Sequence, residues 1–314
     1  MNRDRFRPAY LELHDAGELE ERAATARDLL RSCTVCPRGC RINRSEDSKG
    51  FCRTGLLPVI SRYGPHFGEE PPLVGRGGSG TIFVARCSMA CTYCQNFAIS
   101  RRGEGCMTSP EHLAGIMLLL QRQGCENINI VTPTHIIPQL IRSIAVAADQ
   151  GLALPFVYNS GGYDSAETLL LLDGIVDICM PDAKYGSDEV AVLLSEAPGY
   201  TGVMNDALRE MHRQVGDLRI TEGIARRGLL VRHLVLPGNL AGSDLVLPWI
   251  AREISRDTYV NIMDQYHWPS PLHLPERLAR DPRYDVLHRR ITAREYEAAV
   301  RWAREAGLHR GFPC

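Results

Sequence analysis

Three cysteines within one short stretch, Cys87-Ser-Met-Ala-Cys91-Thr-Tyr-Cys94, constrain this chain more than any other feature. The β-rich run Thr81–Ala85 leads straight into them, so they fall on a loop at the carboxyl end of a strand. Three thiolates this close can each hold one iron of a cubane [4Fe–4S] cluster, which leaves the fourth iron open to a ligand. The plainer alternative is three buried or zinc-binding cysteines.

Composition narrows the class. The chain has 314 residues, enough to bury a full α/β core. Its 36 basic and 37 acidic residues nearly cancel, so no broad electrostatic footprint for nucleic acid is expected. Met1-Asn2-Arg3-Asp4-Arg5 has no apolar run after it, and the most apolar short runs, such as Ile116–Leu120, are far below membrane-span length. The expectation is a soluble cytoplasmic protein with no membrane partner. In that compartment its 11 cysteines read as ligands before disulfides. Cys106 follows the triplet in a Gly- and Arg-rich setting that reads as a loop.

After residue 80, short β-rich runs alternate with helical patterns. Strands are expected at Thr81–Ala85, Asn127–Val131, Pro155–Tyr158, Ile175–Met180, Leu229–Leu236 and Tyr259–Met263. Helices are expected from Ser109-Pro110, over Pro138–Gln150, Ser165–Leu172, Asn205–Val215 and Leu245–Ile254, and finally over Thr292–Gly307 with Glu295 completing a capping box. Strands separated by helices imply βαβ units and a parallel sheet. Six strands fit an α/β fold of the partial (β/α)6, TIM-like barrel type, and periodicity alone fits a flat doubly wound sheet equally. In both, ligands bind at the carboxyl ends of the strands. Residues 16–31 read as an amphipathic helix and 53–80 as loop, which divides the chain into an N-terminal extension (1–76), a core (77–268) and a C-terminal helical segment (269–314).

The extension carries a second group, Cys33-x2-Cys36-x3-Cys40-x11-Cys52. Four thiolates close a coordination sphere. Tetrahedral zinc and an auxiliary [4Fe–4S] cluster both tolerate this spacing.

These motifs resemble the radical S-adenosylmethionine (radical SAM) superfamily and, more narrowly, proteins of the pyruvate formate-lyase activating type. The resemblance is carried by Cys33-Thr-Val-Cys36-Pro-Arg-Gly-Cys40, Gly50-Phe-Cys52, Gly78-Ser-Gly-Thr-Ile-Phe83, the triplet with Cys94-Gln-Asn96, Val131-Thr-Pro-Thr-His135, Val157-Tyr-Asn-Ser-Gly-Gly-Tyr163, Met180-Pro-Asp182, Arg226–Gly238 and Asn261-Ile-Met-Asp-Gln-Tyr266. It implies a [4Fe–4S] cluster on Cys87, Cys91 and Cys94, with SAM chelating the open iron through its amino and carboxylate groups. Tyr93 would pack on the adenine. Thr132 and Thr134 stand where many relatives bind the SAM amino group with a Gly-Gly-Glu segment. Asn159 and Ser160 match the strand end that holds ribose and carboxylate, although Tyr158 replaces an acidic residue there. Lys184 and Arg232 would meet the SAM carboxylate, Asp182 would bind a cation or a substrate donor, and His267 matches a residue near the ribose. His135, Asp264 and Tyr266 are the candidate catalytic or substrate-touching groups, with a structural histidine an equal reading of His135.

The implied chemistry is reductive cleavage of SAM, with the electron supplied by a flavodoxin or ferredoxin type donor. The hydrogen abstracted would come from a glycine of a partner glycyl-radical enzyme, or alternatively from a small molecule or another peptide. A non-catalytic iron–sulfur electron carrier is the third class, disfavoured because a carrier needs no open iron.

Overall fold

The computed structural model describes residues 6–267 and 282–313. The part of the expected C-terminal segment at 269–281 therefore lies outside the described residues. Two helices open the chain, α1 (Tyr10–Asp15) and α2 (Glu18–Asp28). They do not form a core of their own: Tyr10, Leu19, Ala23, Ala26 and Leu30 share one buried apolar cluster with Leu140, Ile141 and Ile144 of helix α5 (Ile137–Asp149). Asp177 fixes this arrangement by accepting from the Ala9 and Phe156 backbone amides, both at 2.9 Å.

Strands β1 (Val59–His66), β2 (Ser79–Val84), β3 (Cys106–Met107), β4 (Ile128–Val131), β5 (Phe156–Ser160), β6 (Ile178–Pro181), β7 (Arg219–Thr221), β8 (Ile224–Leu234) and β9 (Tyr259–Met263) make one sheet in the order β3-β1-β2-β4-β5-β6-β8-β7, with β9 on β8. β2, β4, β5, β6, β8 and β9 run parallel, and these are the six strands expected from the sequence. Among the described residues β9 pairs with β8 and, by a single bridge, with Arg310; its far edge does not return to β2, so the sheet curls without closing. The crossovers are α4 (Pro110–Arg122), α5, α6 (Ala166–Leu169), α8 (Tyr200–Val215) and α9 (Ser243–Glu253). α4 starts as its sequence specifies: Ser109 Oγ accepts from His112 N at 3.2 Å, with Pro110 in the first turn. An additional helix, α7 (Asp188–Ser195), falls in a stretch for which no element was expected.

Residues 53–80 are not the loop expected. They hold β1, antiparallel to β2, and a single helical turn, α3 (Pro71–Val74). β1 escapes a pattern search because beyond its first two residues, which pair with β3, Gly64 and Pro65 interrupt it and its residues are largely exposed. Cys106 likewise belongs to a short strand, paired with Ile60. α3 plugs the amino-terminal end of the barrel. Leu73 is fully buried against Val157, Ile178, Met180 and Leu230, and Asn127 Nδ2 donates to the Leu73 carbonyl at 2.8 Å. Alternation along the strands turns Thr81, Asn129, Val157 and Ile178 inward in one layer, and Phe83, Val131, Asn159 and Met180 in the next.

The closing helix, Ala293–Glu305, begins with the expected capping box: Glu295 N donates to Thr292 Oγ1 (3.3 Å) and Thr292 N to Glu295 Oε2 (2.8 Å). Glu295 also receives Gly238 N and Arg289, at 2.7 Å each, which ties the helix to the turn after β8. No helix among the described residues is long and apolar enough to cross a membrane.

Thr292→Ala should cost about 1 kcal/mol, the usual loss for a helix cap, read as a lowered Tm. The Arg289 guanidinium and the amides around Glu295 hold its carboxyl below its ordinary range. Its contribution is therefore present above the ordinary carboxyl pKa and fades as pH falls through the depressed one. The Tm gap between wild type and Glu295→Ala should accordingly narrow on acidification below about pH 4.3.

Candidate functional site

The carboxyl ends of the parallel strands open into a cleft of about 430 Å³. Cys87, Cys91 and Cys94 all line it, on the loop after β2, and no other cysteine does. The loop is held from several sides. Ala90 N and Thr92 N donate to the Ser195 and Leu194 carbonyls at the end of α7, both at 2.8 Å. Arg38 Nε reaches the Ser88 carbonyl at 2.9 Å, and its Nη2 the Glu196 carbonyl. Gln95 Nε2 donates to the Gln265 carbonyl at 3.0 Å, spanning from the cysteine loop to the end of β9.

Each sulfur already has a hydrogen-bond partner. Met89 N lies 3.3 Å from Cys87 Sγ, Ser195 Oγ 3.0 Å from Cys91 Sγ, and Ser100 Oγ 3.2 Å from Cys94 Sγ. The Ser195 hydroxyl lies 2.5 Å from Tyr185 OH, and Tyr185 OH 2.5 Å from Tyr93 OH; with Ser195 donating to Cys91, the run can point from Tyr93 toward the sulfur. Burial pushes the Cys87 thiol up to about 12 and raises that of Cys91. Burial outweighs the nearby Lys184, so Cys87 and Cys91 are neutral thiols, and a coordinated metal is what would make them thiolates. Among the described residues no three His, Cys, Asp or Glu side chains stand in a preassembled metal cage. The fit to a [4Fe–4S] cluster is thus one of donor chemistry: three sulfurs in one cleft, no fourth, and N–H and O–H donors of the kind that tune cluster sulfurs.

Opposite the thiols stands an ionic cluster. Asp182, just past β6, accepts from Arg232 Nε of β8 at 2.7 Å and from Lys184 Nζ at 2.5 Å. Arg232 Nη2 donates to Asn159 Oδ1 of β5 at 2.7 Å. Burial alone would raise the Asp182 pKa, but the two cations outweigh it and hold the carboxyl below its ordinary range. Lys184 is correspondingly raised: its desolvation is overcome by Asp182. Thr132 lines the cleft just past β4, at φ 63°, with its amide on the Asn159 carbonyl at 2.8 Å. A left-handed β-branched residue is strained, and here the strain sits at the cleft.

Of the residues expected in the site, Cys87, Cys91, Tyr93, Cys94, Thr132, Asn159, Ser160, Asp182, Lys184 and Arg232 come together around the cleft. Thr134 does not. It is buried and donates to Asp164 Oδ1 at 2.6 Å, and the same buried carboxylate takes Tyr158 OH (2.7 Å) and Ser160 Oγ (2.6 Å). Asp164, overlooked in the sequence, thus organises hydroxyls read there as ligand contacts. His135 is also behind the cleft, its Nε2 on the Ala85 carbonyl at 3.1 Å, and burial depresses it to about 3, so it stays neutral. Tyr266 is buried against Tyr93 with ring centroids 6.0 Å apart, its hydroxyl donating to the Leu287 carbonyl. Asp264 and His267 are exposed and outside the cleft lining. Conversely, Glu69 and Glu70 line it although no role was expected of them; their only sequence signal is an acidic pair between Gly68 and Pro71.

The four N-terminal cysteines lie outside the cleft lining. Cys33 and Cys36 are buried, and burial raises the Cys36 thiol to about 12, with smaller increments from Cys52, Cys33 and Cys40. A Cβ at Gly50 would meet Cys40 Sγ at 2.8 Å. Arg44, 1 % exposed, places Nη1 2.9 Å from the His135 carbonyl and 3.7 Å from Cys33 Sγ, while Nη2 has no partner. Among the described residues no carboxylate pairs with this guanidinium.

No family model matches the chain. It is 29% identical over 300 residues to the uncharacterized protein MJ0674 of Methanocaldococcus jannaschii, a match covering 92% of this chain and 79% of that one. Solved structures similar to it include TYW1 with a lysine–pyruvate adduct (10% identity, TM-score 0.40, 63% of this chain and 67% of that one). Another is the radical SAM methyltransferase TsrM of Kitasatospora setae with cobalamin and a [4Fe–4S] cluster (16%, TM-score 0.43); the match covers 60% of this chain and 36% of TsrM. A third is methylornithine synthase, PylB (14%, TM-score 0.39, 93% and 76%).

Asp182→Asn should strand two buried cations and lower stability by about 3 kcal/mol, the lower end of the cost of breaking a buried ion pair. Urea unfolding of the protein without cofactors measures this directly.

Proposed function

We propose that this chain is a radical SAM enzyme. The observation that carries the reading is three sulfurs, and no fourth, in one cleft at the carboxyl ends of six parallel strands, facing the Asp182–Lys184–Arg232 cluster. Cys87, Cys91 and Cys94 would hold a [4Fe–4S] cluster, and SAM would complete it. When bound, the reduced cluster supplies an electron, delivered by a flavodoxin or ferredoxin type donor, that cleaves SAM to methionine and a 5′-deoxyadenosyl radical able to take a hydrogen atom from substrate. The protein's own residues do the rest. Lys184 and Arg232, held in place by Asp182, offer N–H donors to a carboxylate. The strained Thr132 lines the same cleft. Ser195, at the end of a hydroxyl run through Tyr185 and Tyr93, donates to Cys91, and a donor on that sulfur would favour the more negative, reduced state of a cluster there.

Two substrates fit this chemistry: a glycine of a partner glycyl-radical enzyme, or a small molecule. The resemblance in sequence supports the first. The inner wall supports the second, because Glu70 Oε2 is buried there with no partner and a neutral glycine loop brings no cation to it. We favour the small-molecule reading.

The four N-terminal cysteines complete the proposal as a separate, thiolate-ligated metal centre, zinc or an auxiliary cluster. Buried Arg44 supports it. A guanidinium without a carboxylate partner needs negative charge nearby, and four thiolates around a metal ion or cluster supply it. Arg38, between Cys36 and Cys40, would then carry the rigidity of that centre to Ser88 in the cleft loop.

Anaerobically reconstituted protein given dithionite and SAM should release 5′-deoxyadenosine, and Cys91→Ala should lower release at least 100-fold. No release from protein with a full cluster and bound SAM, across a substrate panel, would end the reading. Separately, the triple variant Cys87→Ala/Cys91→Ala/Cys94→Ala should retain one metal centre by elemental analysis and lose it when Cys36→Ser is added. One zinc or several irons per chain tells the two centres apart.

A further inference from the structure

Glu69 and Glu70 enter the cleft from the end opposite the cysteines. They follow β1, whose last residue His66 pairs with Ser79 at the start of β2, whereas the cysteine loop follows the end of β2. The plug α3 comes directly after them. Glu70 is 6 % exposed. Its Oε1 accepts from Asn261 Nδ2 of β9 at 3.1 Å and lies 4.0 Å from Arg232 Nε; its Oε2 is buried with no partner. Glu69 has His66 Nδ1 at 3.2 Å, and burial raises its carboxyl above the ordinary range.

Just behind the cleft lining, the Asn129 amide group donates to Glu69, and its oxygen is in the same condition as Glu70 Oε2. Asn129 Oδ1, fully buried on the inward layer of β4, has no partner. Its orientation is fixed by its neighbours: Ser79 Oγ donates to Asn127 Oδ1 at 2.7 Å, so Asn129 must present Nδ2 to Ser79 Oγ, at 3.2 Å. Both unmatched atoms are acceptors. The group missing from this end of the cleft is therefore a donor, and the carboxylates make a cationic donor the favoured one.

The charges agree. Three carboxylates, Asp182, Glu69 and Glu70, share the inner cleft with two permanent cations, Lys184 and Arg232, both held by Asp182, and with the His66 imidazole beside Glu69, which is a cation only when protonated. Arg62, at the exposed rim, is engaged with the Phe83 ring at 4.4 Å. If a SAM carboxylate draws on Lys184 and Arg232, as the reading above has it, the acidic pair is left in excess. The amino group of SAM is not the natural occupant, since in that reading it is bound to iron at the cysteine end.

We propose that Glu70, with Glu69 and Asn129, forms a subsite for an alkylammonium or guanidinium group of the substrate, so that the enzyme acts on a cationic small molecule. This rests on the radical SAM reading for the chemistry but not for the binding.

The test is isothermal titration of reconstituted protein, with and without SAM, using n-butylammonium chloride, n-butylguanidinium chloride, n-butanol and sodium butyrate as probes. The expected result is that at least one cation binds at least tenfold tighter than both butanol and butyrate. That preference should disappear in Glu70→Gln and weaken in Glu69→Gln, while SAM affinity stays within twofold. Unfolding midpoint and cluster absorbance confirm that each variant is folded, and either variant suffices. No preference for cations, or one untouched by both substitutions, overturns the proposal; water alone then satisfies these acceptors. A tenfold loss of SAM affinity in Glu70→Gln, with butylammonium competing against SAM, also overturns it and assigns the carboxylate to SAM. Failure of wild type to bind SAM would count against the radical SAM reading alone, because cation binding is measured in its absence as well.

Discussion

Asp182 is the group on which the cleft depends. Alone in that position a carboxylate would be driven toward its neutral form by burial. Flanked by Arg232 and Lys184 it remains charged, and by doing so it joins the end of β6 to β8, and through Arg232 to Asn159 of β5. Three parallel strands are thereby held in register at their carboxyl ends by charge as well as by backbone pairing. The same contact fixes two long, flexible cations in one geometry before any ligand arrives, which removes an ordering cost from binding.

The open barrel is finished from outside its own strands. β1 lengthens the sheet past β2, α3 stops the amino-terminal end, and the Gln95–Gln265 contact spans the mouth. A barrel closed by hydrogen bonds alone would have no place for Glu69 and Glu70. The unclosed edge lets a loop insert side chains into the interior, so residues outside the six parallel strands add acidic charge to an inner wall that already carries Asn159 and Arg232.

Much of this was legible in the sequence because it is local. Tyr259–Met263 is β-branched and aromatic between turn signals and folds as the strand it looks like; Thr292 and Glu295 specify a cap three residues apart and form it. The cysteine triplet and the strand-end residues Asn159, Asp182 and Arg232 were recognisable as motifs. What could not be read is long-range. β1 carries Gly64, Pro65 and no alternation, so only its pairing with β2 makes it a strand. Thr134 and Ser160 look like free hydroxyls until Asp164 is placed beside them, and Tyr266 looks available until Leu287 takes its hydroxyl. A side chain's type says what it can bond to, but its partner belongs to the fold.

The Arg38 contact has a consequence for how the molecule is made. Its acceptor, Ser88, lies 50 residues further along the chain. During synthesis the Cys33–Cys52 segment leaves the ribosome before the loop it will grip, and domains fold in the order in which they emerge. The arginine therefore waits for its acceptor, and the grip on the loop of Cys87, Cys91 and Cys94 can form only after the chain between them has been made.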